Sequence, residues 1–277
     1  ILPGLELLRW SQRSAETVLN EWAFLPPQLL ITFLAPDYFG NHATQNYWGP
    51  ADYTLTTGFS GVVVITLALV GFLTGRKNKV ISFGVSLVVL SLAIAFPNPI
   101  SVWFKESGFL GLQAASAHRG LVLSNLGFAI LAAFGLDALF QKRIGWRESL
   151  RAFYIPGILL LSFTIGTYFA MSWLKIQPNG EELAIRAITN LMVGLKNLIL
   201  PIMILSTTAI LMGLSFYLKR FNKIFIGILI VVGLFELFRF GWKFTPFSPK
   251  EFIFPNTPVL TFLQSQQKPF RVAAEDV

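Results

Sequence analysis

The 277-residue sequence contains no cysteine, and only 13% of its residues are charged. Without cysteine the chain can form no disulfide, no thiolate metal site and no thiol nucleophile. The charged fraction is about half of the roughly 25% found in ordinary soluble domains, whereas hydrophobic residues make up 54%. This composition excludes an ordinary soluble domain and predicts an integral membrane protein.

Histidine is also scarce, and acidic residues are outnumbered by basic ones, which leaves a net charge of +8. With His42 and His118 as the only histidines, the sequence predicts no histidine metal site. In a soluble chain the basic excess would suggest nucleic acid, but in a membrane chain Lys and Arg mark cytoplasmic loops. No nucleic-acid partner is therefore expected. The chain opens at Ile1 without a signal-peptide pattern, and we expect it to be a piece of a longer protein.

Six apolar segments approach the roughly 20 residues that a helix needs to cross a hydrocarbon core about 30 Å thick. They cover residues 59–74, 80–96, 121–140, 152–174, 198–218 and 224–240. We therefore predict an all-α fold, a polytopic membrane helix bundle with about six transmembrane helices, over residues 59–240.

Basic residues concentrate in three short connections, which hold 10 of the 22 Lys and Arg residues in 20 positions. These connections are 76–79, 141–151 and 219–223. The connections between them, 98–120 and 175–197, are longer and mixed in charge. Because basic loops stay in the cytoplasm, the alternation predicts that residues 1–58 and 241–277 both lie outside the cell.

Further segments have patterns typical of the membrane surface. Apolar side chains within 181–197 share one helical face, and Leu5, Leu8, Ala15 and Trp22 repeat this at the start of the chain, so both predict interfacial helices. Residues 26–36, "PPQLLITFLAP", are too short to span and predict a re-entrant segment. The Pro- and Phe-rich residues 241–277 predict an extended connector to a missing outer domain.

Residues 34–54, "LAPDYFGNHATQNYWGPADYT", combine aromatic rings with amides and carboxylates. One interpretation is an aromatic belt at the membrane surface, attached to a loop whose Asp and Asn side chains bond their own turns. The other is the wall of a sugar site, in which rings cover the C–H face and polar groups bind the hydroxyls. Its candidate binding residues are Asp37, Tyr47, Trp48 and Asp52, and both interpretations remain open.

Charged residues at the ends of the predicted spans are further candidates. Arg119 lies at the outer end of the third span, where it either anchors to lipid headgroups or binds a phosphate through its two-point guanidinium geometry. Arg239 faces the same side and, three residues after Glu236, predicts a pair on one helix face. Asp137 precedes two basic residues, Lys142 and Arg143, which favours a structural ion pair or a helix end over proton or ion transport.

Three blocks of the sequence form a recognisable series: "PDYFGN…NYWGPADYT", "SAHRGLVLSNLGFAILAAFGLDALF" and "ELFRFGWKFTPFSPKEFIFPNTPVLTFLQ…PFRV". These blocks resemble the YfhO family of bacterial membrane proteins. That family is similar to the GT-C type glycosyltransferases that depend on polyprenyl-phosphate sugars. The resemblance implies transfer of a sugar from a polyprenyl-phosphate carrier to a cell-envelope glycopolymer on the outer face of the bacterial plasma membrane. Its expected partners are this lipid-linked sugar, the envelope acceptor and membrane lipid.

Only a few site residues of the family have matching positions in this sequence. The general base of GT-C proteins is typically an acidic residue in the first outer loop, which would precede Ile1, so the main catalytic carboxylate is expected upstream. Matching positions are the YWG block at 47–49, Arg119 and the GLD block at 135–137, although "SAHRG" keeps only part of an Arg-Pro-Ser-Arg block. The cofactor is open, and a divalent ion on Asp37, Asp52 or Glu106 is one option.

Two other functions fit the same sequence. A lipid or polysaccharide transporter or flippase would place polar residues deep in the spans, whereas the polar residues here gather at the outer ends. A noncatalytic envelope scaffold would need only the helices and the aromatic loop.

Overall fold

The structure is a computed structural model that describes residues 24–50, 52–53, 58–75, 78–107, 117–176, 181–243, 249–252 and 255–267. Within these ranges all regular elements are helical and no strand occurs, which confirms the predicted all-α class. The described residues up to Phe240 form one compact unit, and those from Gly241 onward form a second. The predicted helix over Leu5 to Trp22 lies outside the described residues.

The α-helices of the described residues are α1 (Val62–Thr74), α2 (Lys79–Ala95), α3 (Pro99–Glu106), α4 (Leu121–Phe140), α5 (Trp146–Leu150), α6 (Tyr154–Ile176), α7 (Glu181–Tyr217), α8 (Asn222–Trp242) and α9 (Pro258–Ser265). Short 3₁₀ helices lie at Pro27–Phe33, His42–Thr44, Ala117–Gly120, Arg151–Phe153, Lys219–Phe221 and Lys250–Phe252.

Among the described residues, four helical runs are long and apolar enough to cross a membrane, so the chain is a membrane protein. They are His118–Phe140, Trp146–Ile176, Glu182–Tyr217 and Lys219–Trp242. Helices α1 and α2 are also apolar but have only 13 and 17 residues, about 20 and 26 Å at 1.5 Å per residue. Most of α1 is buried, as expected of a short core helix. The count of six spans stays a prediction.

Helix α7 corrects the predicted division between an interfacial helix and a span. It runs unbroken for 37 residues, with Pro201 inside it, and is about 55 Å long at 1.5 Å per residue. Its second half contributes Leu198, Ile204 and Leu211 to the buried core. The helix is continuous from residues 181–197 into this part, so the two predicted segments form one helix.

Two other segments carry structure that bears on the predictions. In the proposed re-entrant segment, Leu29, Ile31 and Phe33 are buried and the Leu25 N–H donates to the Ala95 carbonyl over 2.8 Å, so protein covers this stretch. The segment after residue 241 is not wholly extended, because α9 begins at Pro258 with the Thr257 side chain as its cap. Proline at the first helical position after a threonine cap is a helix start signal.

Glycines allow α1, α2 and α4 to pack with their backbones in contact. A Cβ atom at Gly135 of α4 would overlap the Leu67 carbonyl of α1, and one at Gly71 would overlap the Leu131 carbonyl. A Cβ atom at Gly127 would lie 2.7 Å from the Gly84 carbonyl of α2. Small residues at such crossings are typical of membrane helix pairs. In the GLD block, Gly135 is thus a packing position.

The described residues that flank the three basic connections lie at one end of the bundle. Leu73 and Thr74, at the end of α1 that leads into the first connection, line one cavity with Arg143 of the second. The Trp146 ring lies 5.9 Å from that of Phe216, three residues before the third connection. We call this the basic end, as defined by Thr74, Arg143 and Phe216. The common location agrees with the charge alternation.

Single-cysteine labelling tests the predicted orientation of the basic end, and the cysteine-free chain gives no background. We expect cysteines at Gly145 and Arg220, both exposed at the basic end, to react with an impermeant maleimide only after the cells are permeabilised. A cysteine at exposed Thr44 should react in intact cells. Labelling of Gly145→Cys from outside would overturn the orientation.

Candidate functional site

The amides of the aromatic loop fold the loop itself. The Asn41 side chain accepts a bond from the Ala43 N–H over 2.7 Å, and the Asn46 side chain accepts one from the Asn41 N–H over 3.0 Å. The Trp48 N–H donates to the Phe39 carbonyl over 2.8 Å and closes the loop. The prediction that these side chains bond their own turns is confirmed for Asn41 and Asn46.

The rings of this loop pack against each other. Trp48 lies with its ring centroid 4.8 Å from that of Phe39 and 5.9 Å from that of Tyr38, while Tyr47 lies 5.6 Å from Tyr53. The indole N–H of Trp48 is buried and has no acceptor among the residues that the structure describes. Tyr47 and Trp48 therefore stabilise the loop by packing against its other rings.

Asp37 is the centre of a buried hydrogen-bond cluster. One carboxylate oxygen, Oδ1, accepts bonds from the Asn41 amide over 2.9 Å and from the Tyr53 hydroxyl over 2.8 Å. Burial, and then the adjacent Asp37 carboxylate, raise the pKa of Tyr53 well above its usual range. Tyr53 thus keeps its proton at any physiological pH and remains a donor to Asp37.

Two long helices meet this cluster. The Asn197 amide of α7 donates to the Asp37 backbone carbonyl over 2.5 Å, and the Arg239 guanidinium of α8 lies 3.6 Å from the second Asp37 carboxylate oxygen, Oδ2. The Tyr38 hydroxyl adds a 2.5 Å bond to Thr167 of α6. The loop is therefore held by three helices at the end of the bundle opposite the basic end.

The predicted pair between Glu236 and Arg239 is wrong, because Glu236 has other partners. Its carboxylate accepts the N–H groups of Val62 and Val63 over 2.7 and 3.2 Å. The residue before α1 is Gly61, which has φ 93° and no side chain to cap the helix. Glu236, 4% exposed, supplies the missing acceptors and a negative charge at the positive end of α1. Arg239 pairs with Asp37 instead.

A cavity of about 210 Å³ lies among these groups. Its polar lining consists of Asp37, Lys196, Asn197, Glu236 and Arg239. Its apolar lining includes Leu200, Pro201 and Ile204 of α7 together with Phe59 and Phe240. We call this space the Asp37 cavity.

The lining charges give the Asp37 cavity a positive character. The formal charges of Lys196 and Arg239 balance those of Asp37 and Glu236. However, the N-terminus of α1 offsets about half of the Glu236 charge, because a helix N-terminus carries about half a positive charge. The lining is therefore left with a small positive excess, which favours an anionic ligand.

The structure brings together only part of the predicted site. Asp37 and Arg239 line the same cavity, whereas Tyr47 and Trp48 pack beside it and do not line it. Asp52 and Arg119 are exposed and also do not line it. The predicted ion pair of Asp137 is confirmed, with Arg143 at 3.3 Å.

Sequence reasoning did not select Lys196 and Asn197 because they lie in the segment interpreted as an interfacial helix. A signal was present, since "KNLILP" places two polar residues one helical turn before Pro201, which cannot donate to the Asn197 carbonyl. Among the described residues, no group of three His, Asp or Glu side chains could hold a metal ion.

Comparison with known proteins gives no relative: no family model, no curated protein and no solved structure matches this chain. The resemblance to the YfhO family therefore rests on the three sequence blocks, and the function has to be argued from the site.

Proposed function

We propose that this chain is part of a membrane glycosyltransferase, which moves a sugar from a polyprenyl-phosphate carrier to a cell-envelope acceptor on the outer face of the bacterial plasma membrane. The observation that carries the proposal is the Asp37 cavity, where Arg239 and Lys196 face one small space together with a buried carboxylate.

The size and lining of the Asp37 cavity suit the phosphate of a lipid-linked donor. At about 210 Å³ it is smaller than the roughly 300–1,000 Å³ of sites that enclose a drug-sized ligand. It can hold a headgroup while the rest of the ligand stays outside. Leu200 and Ile204 form an apolar wall along α7, a surface that suits an isoprenoid chain leaving the phosphate.

Arg239 is the proposed phosphate ligand in this cavity. Its side chain is 41% exposed, so one edge of the guanidinium can contact a ligand while Asp37 holds the other. Asp37 itself is fixed by Asn41 and Tyr53, and it acts as a positioning residue for Arg239. Stabilising negative charge on a departing phosphate is the contribution that such a cation makes to glycosyl transfer.

Sugar transfer by full-length protein in proteoliposomes tests the proposal. We expect Arg239→Ala and Arg239→Lys each to reduce transfer at subsaturating polyprenyl-phosphate sugar by about tenfold or more. A hydrogen bond to a charged group contributes about 1.5–3 kcal/mol, and lysine lacks the two-point geometry of arginine. Arg186→Ala is the control, because Arg186 is exposed and pairs only locally, with Glu182 at 2.7 Å.

The same assay separates the alternatives. Loss of transfer in Arg119→Ala with full activity in Arg239→Ala would move the phosphate site to Arg119. Binding of the lipid-linked sugar without transfer, followed by its appearance in the other leaflet, would identify a flippase instead. If the full-length protein neither binds nor transfers the lipid-linked sugar, the noncatalytic scaffold function would be supported.

A further inference from the structure

A second cavity, at the basic end, is independent of the proposed sugar transfer. It has a volume of about 350 Å³ and is lined by Leu73, Thr74, Arg143, Ile144, Glu148 and Arg151. Two arginines thus face one space with a single carboxylate. We call it the arginine cavity, and none of its residues belongs to the Asp37 cavity.

The end of α4 holds Arg143 at this cavity. Lys142 adopts a left-handed conformation with φ 54°, and the Arg143 N–H then donates to the Ala138 carbonyl over 2.9 Å. This is the bond that closes a helix C-terminus through a left-handed residue. Ile144, 4% exposed, anchors the next position. The backbone that carries Arg143 is therefore fixed by the fold.

The acidic groups near the arginine cavity leave its positive charge available. The Glu148 carboxylate accepts the Gly145 N–H over 3.3 Å at the start of α5, where a negative charge is favoured by the helix N-terminus. Asp137 lies 3.3 Å from Arg143, but both side chains are about half exposed. Exposed ion pairs contribute little to stability, so an anion of higher charge density can replace Asp137.

Exposed apolar side chains adjoin the polar lining. Phe72 directly precedes Leu73, Phe140 ends α4, and Tyr154 begins α6, and all three are exposed. They lie on helical runs that are apolar enough to cross a membrane or, for Phe72, on the short apolar helix α1. A ligand in the arginine cavity would therefore meet polar groups at one end and lipid-compatible surface beside it.

We propose that the arginine cavity binds the phosphate of an anionic phospholipid headgroup, with the acyl chains on the adjoining helix surfaces. The guanidinium geometry of Arg143 and Arg151 matches phosphate oxygens, and basic pockets between membrane helices bind such headgroups. Binding would fix the α4–α6 connection against α1 at this end of the bundle.

Native mass spectrometry of the full-length protein in detergent, with added phosphatidylglycerol or phosphatidylcholine, tests this site. We expect phosphatidylglycerol to bind at least tenfold more tightly, and Arg143→Ala with Arg151→Ala to remove most of that preference. Lys219→Ala with Lys223→Ala is the matched control, since it removes the same charge at the basic end from residues that do not line the cavity. This control should keep the preference.

The outcomes distinguish a lipid site from other anion sites. If both double variants lose the preference for phosphatidylglycerol equally, the preference comes from general surface charge and the proposal is overturned. Equal binding of the two lipids by the unaltered protein would also overturn it. Displacement of phosphatidylglycerol by millimolar inorganic phosphate would show a free-phosphate site instead. Unchanged phosphatidylcholine binding in each variant verifies that it is folded.

Discussion

Gly135→Leu is expected to prevent stable folding of the bundle. The substitution adds atoms where even a Cβ would overlap the Leu67 backbone carbonyl of α1, so the two helix backbones must separate. Ordinary overpacking, in which side chains can yield, costs about 1–3 kcal/mol, and a backbone obstacle costs more. The gain in helix propensity from glycine to leucine, at most about 1 kcal/mol, cannot compensate. Loss of the monodisperse peak in detergent gel filtration is the measurement.

The control for Gly135→Leu is the same substitution at Gly157 or Gly166 of α6, where an added Cβ meets no atom within 4 Å. These variants should elute and melt like the unaltered protein, because leucine adds only apolar surface to a helix that spans a membrane by length and composition. If Gly135→Leu melts like these controls, α1 and α4 are not in backbone contact.

The basic end shows what could be predicted from the sequence. Helix class and the grouping of the basic connections follow from hydropathy and charge, which act locally along the chain. The Asp137–Arg143 pair joins residues only six positions apart, so both partners lie within one short segment of the sequence. The turns of the aromatic loop are also local, because the Asn41 side chain bonds the N–H two residues on.

The Asp37 cavity shows what could not be predicted. Asp37 meets Asn197 and Arg239 across 160 and 202 positions of sequence, and Glu236 meets Val62 across 174. No period in the sequence encodes such pairs. Arg239 and Glu236 share a helix face, so local spacing predicts that they pair. Instead, Arg239 pairs with Asp37 and Glu236 accepts bonds from Val62 and Val63, which are all distant in the sequence.

Tertiary contacts also decide which side chains of the aromatic loop pack and which line the cavity. Rings and amides in one stretch suggest a sugar site, yet Trp48 and Tyr47 are used for packing and Asn46 for a turn. Among the loop's described polar side chains, only Asp37 lines the cavity, and Asn41 and Tyr53 fix its carboxylate. The ligand site thus depends on residues that the sequence placed in three separate segments.

Glu236→Ala is expected to destabilise the protein strongly by removing the cap of α1. The carboxylate is the acceptor of the Val62 and Val63 N–H groups, and Gly61 has no side chain that could replace it. A buried donor left without a partner costs about 1–3 kcal/mol, so losing both acceptors costs about 2–6 kcal/mol. Removing a buried carboxylate also removes its desolvation penalty, which offsets part of this cost.

Two companion variants identify the cause of that loss. Glu236→Gln keeps the volume and one acceptor oxygen but places an amide donor opposite the second N–H, so it should fall between Glu236→Ala and the unaltered protein. Glu182→Ala, at a carboxylate 81% exposed, should change stability by no more than about 1 kcal/mol. Thermal unfolding in detergent ranks the stabilities of the variants. Amide hydrogen exchange locates the destabilised region: exchange at residues 62 and 63 should accelerate in Glu236→Ala. If these two amides stay protected, another group caps α1 and Glu236 is held in place only by packing.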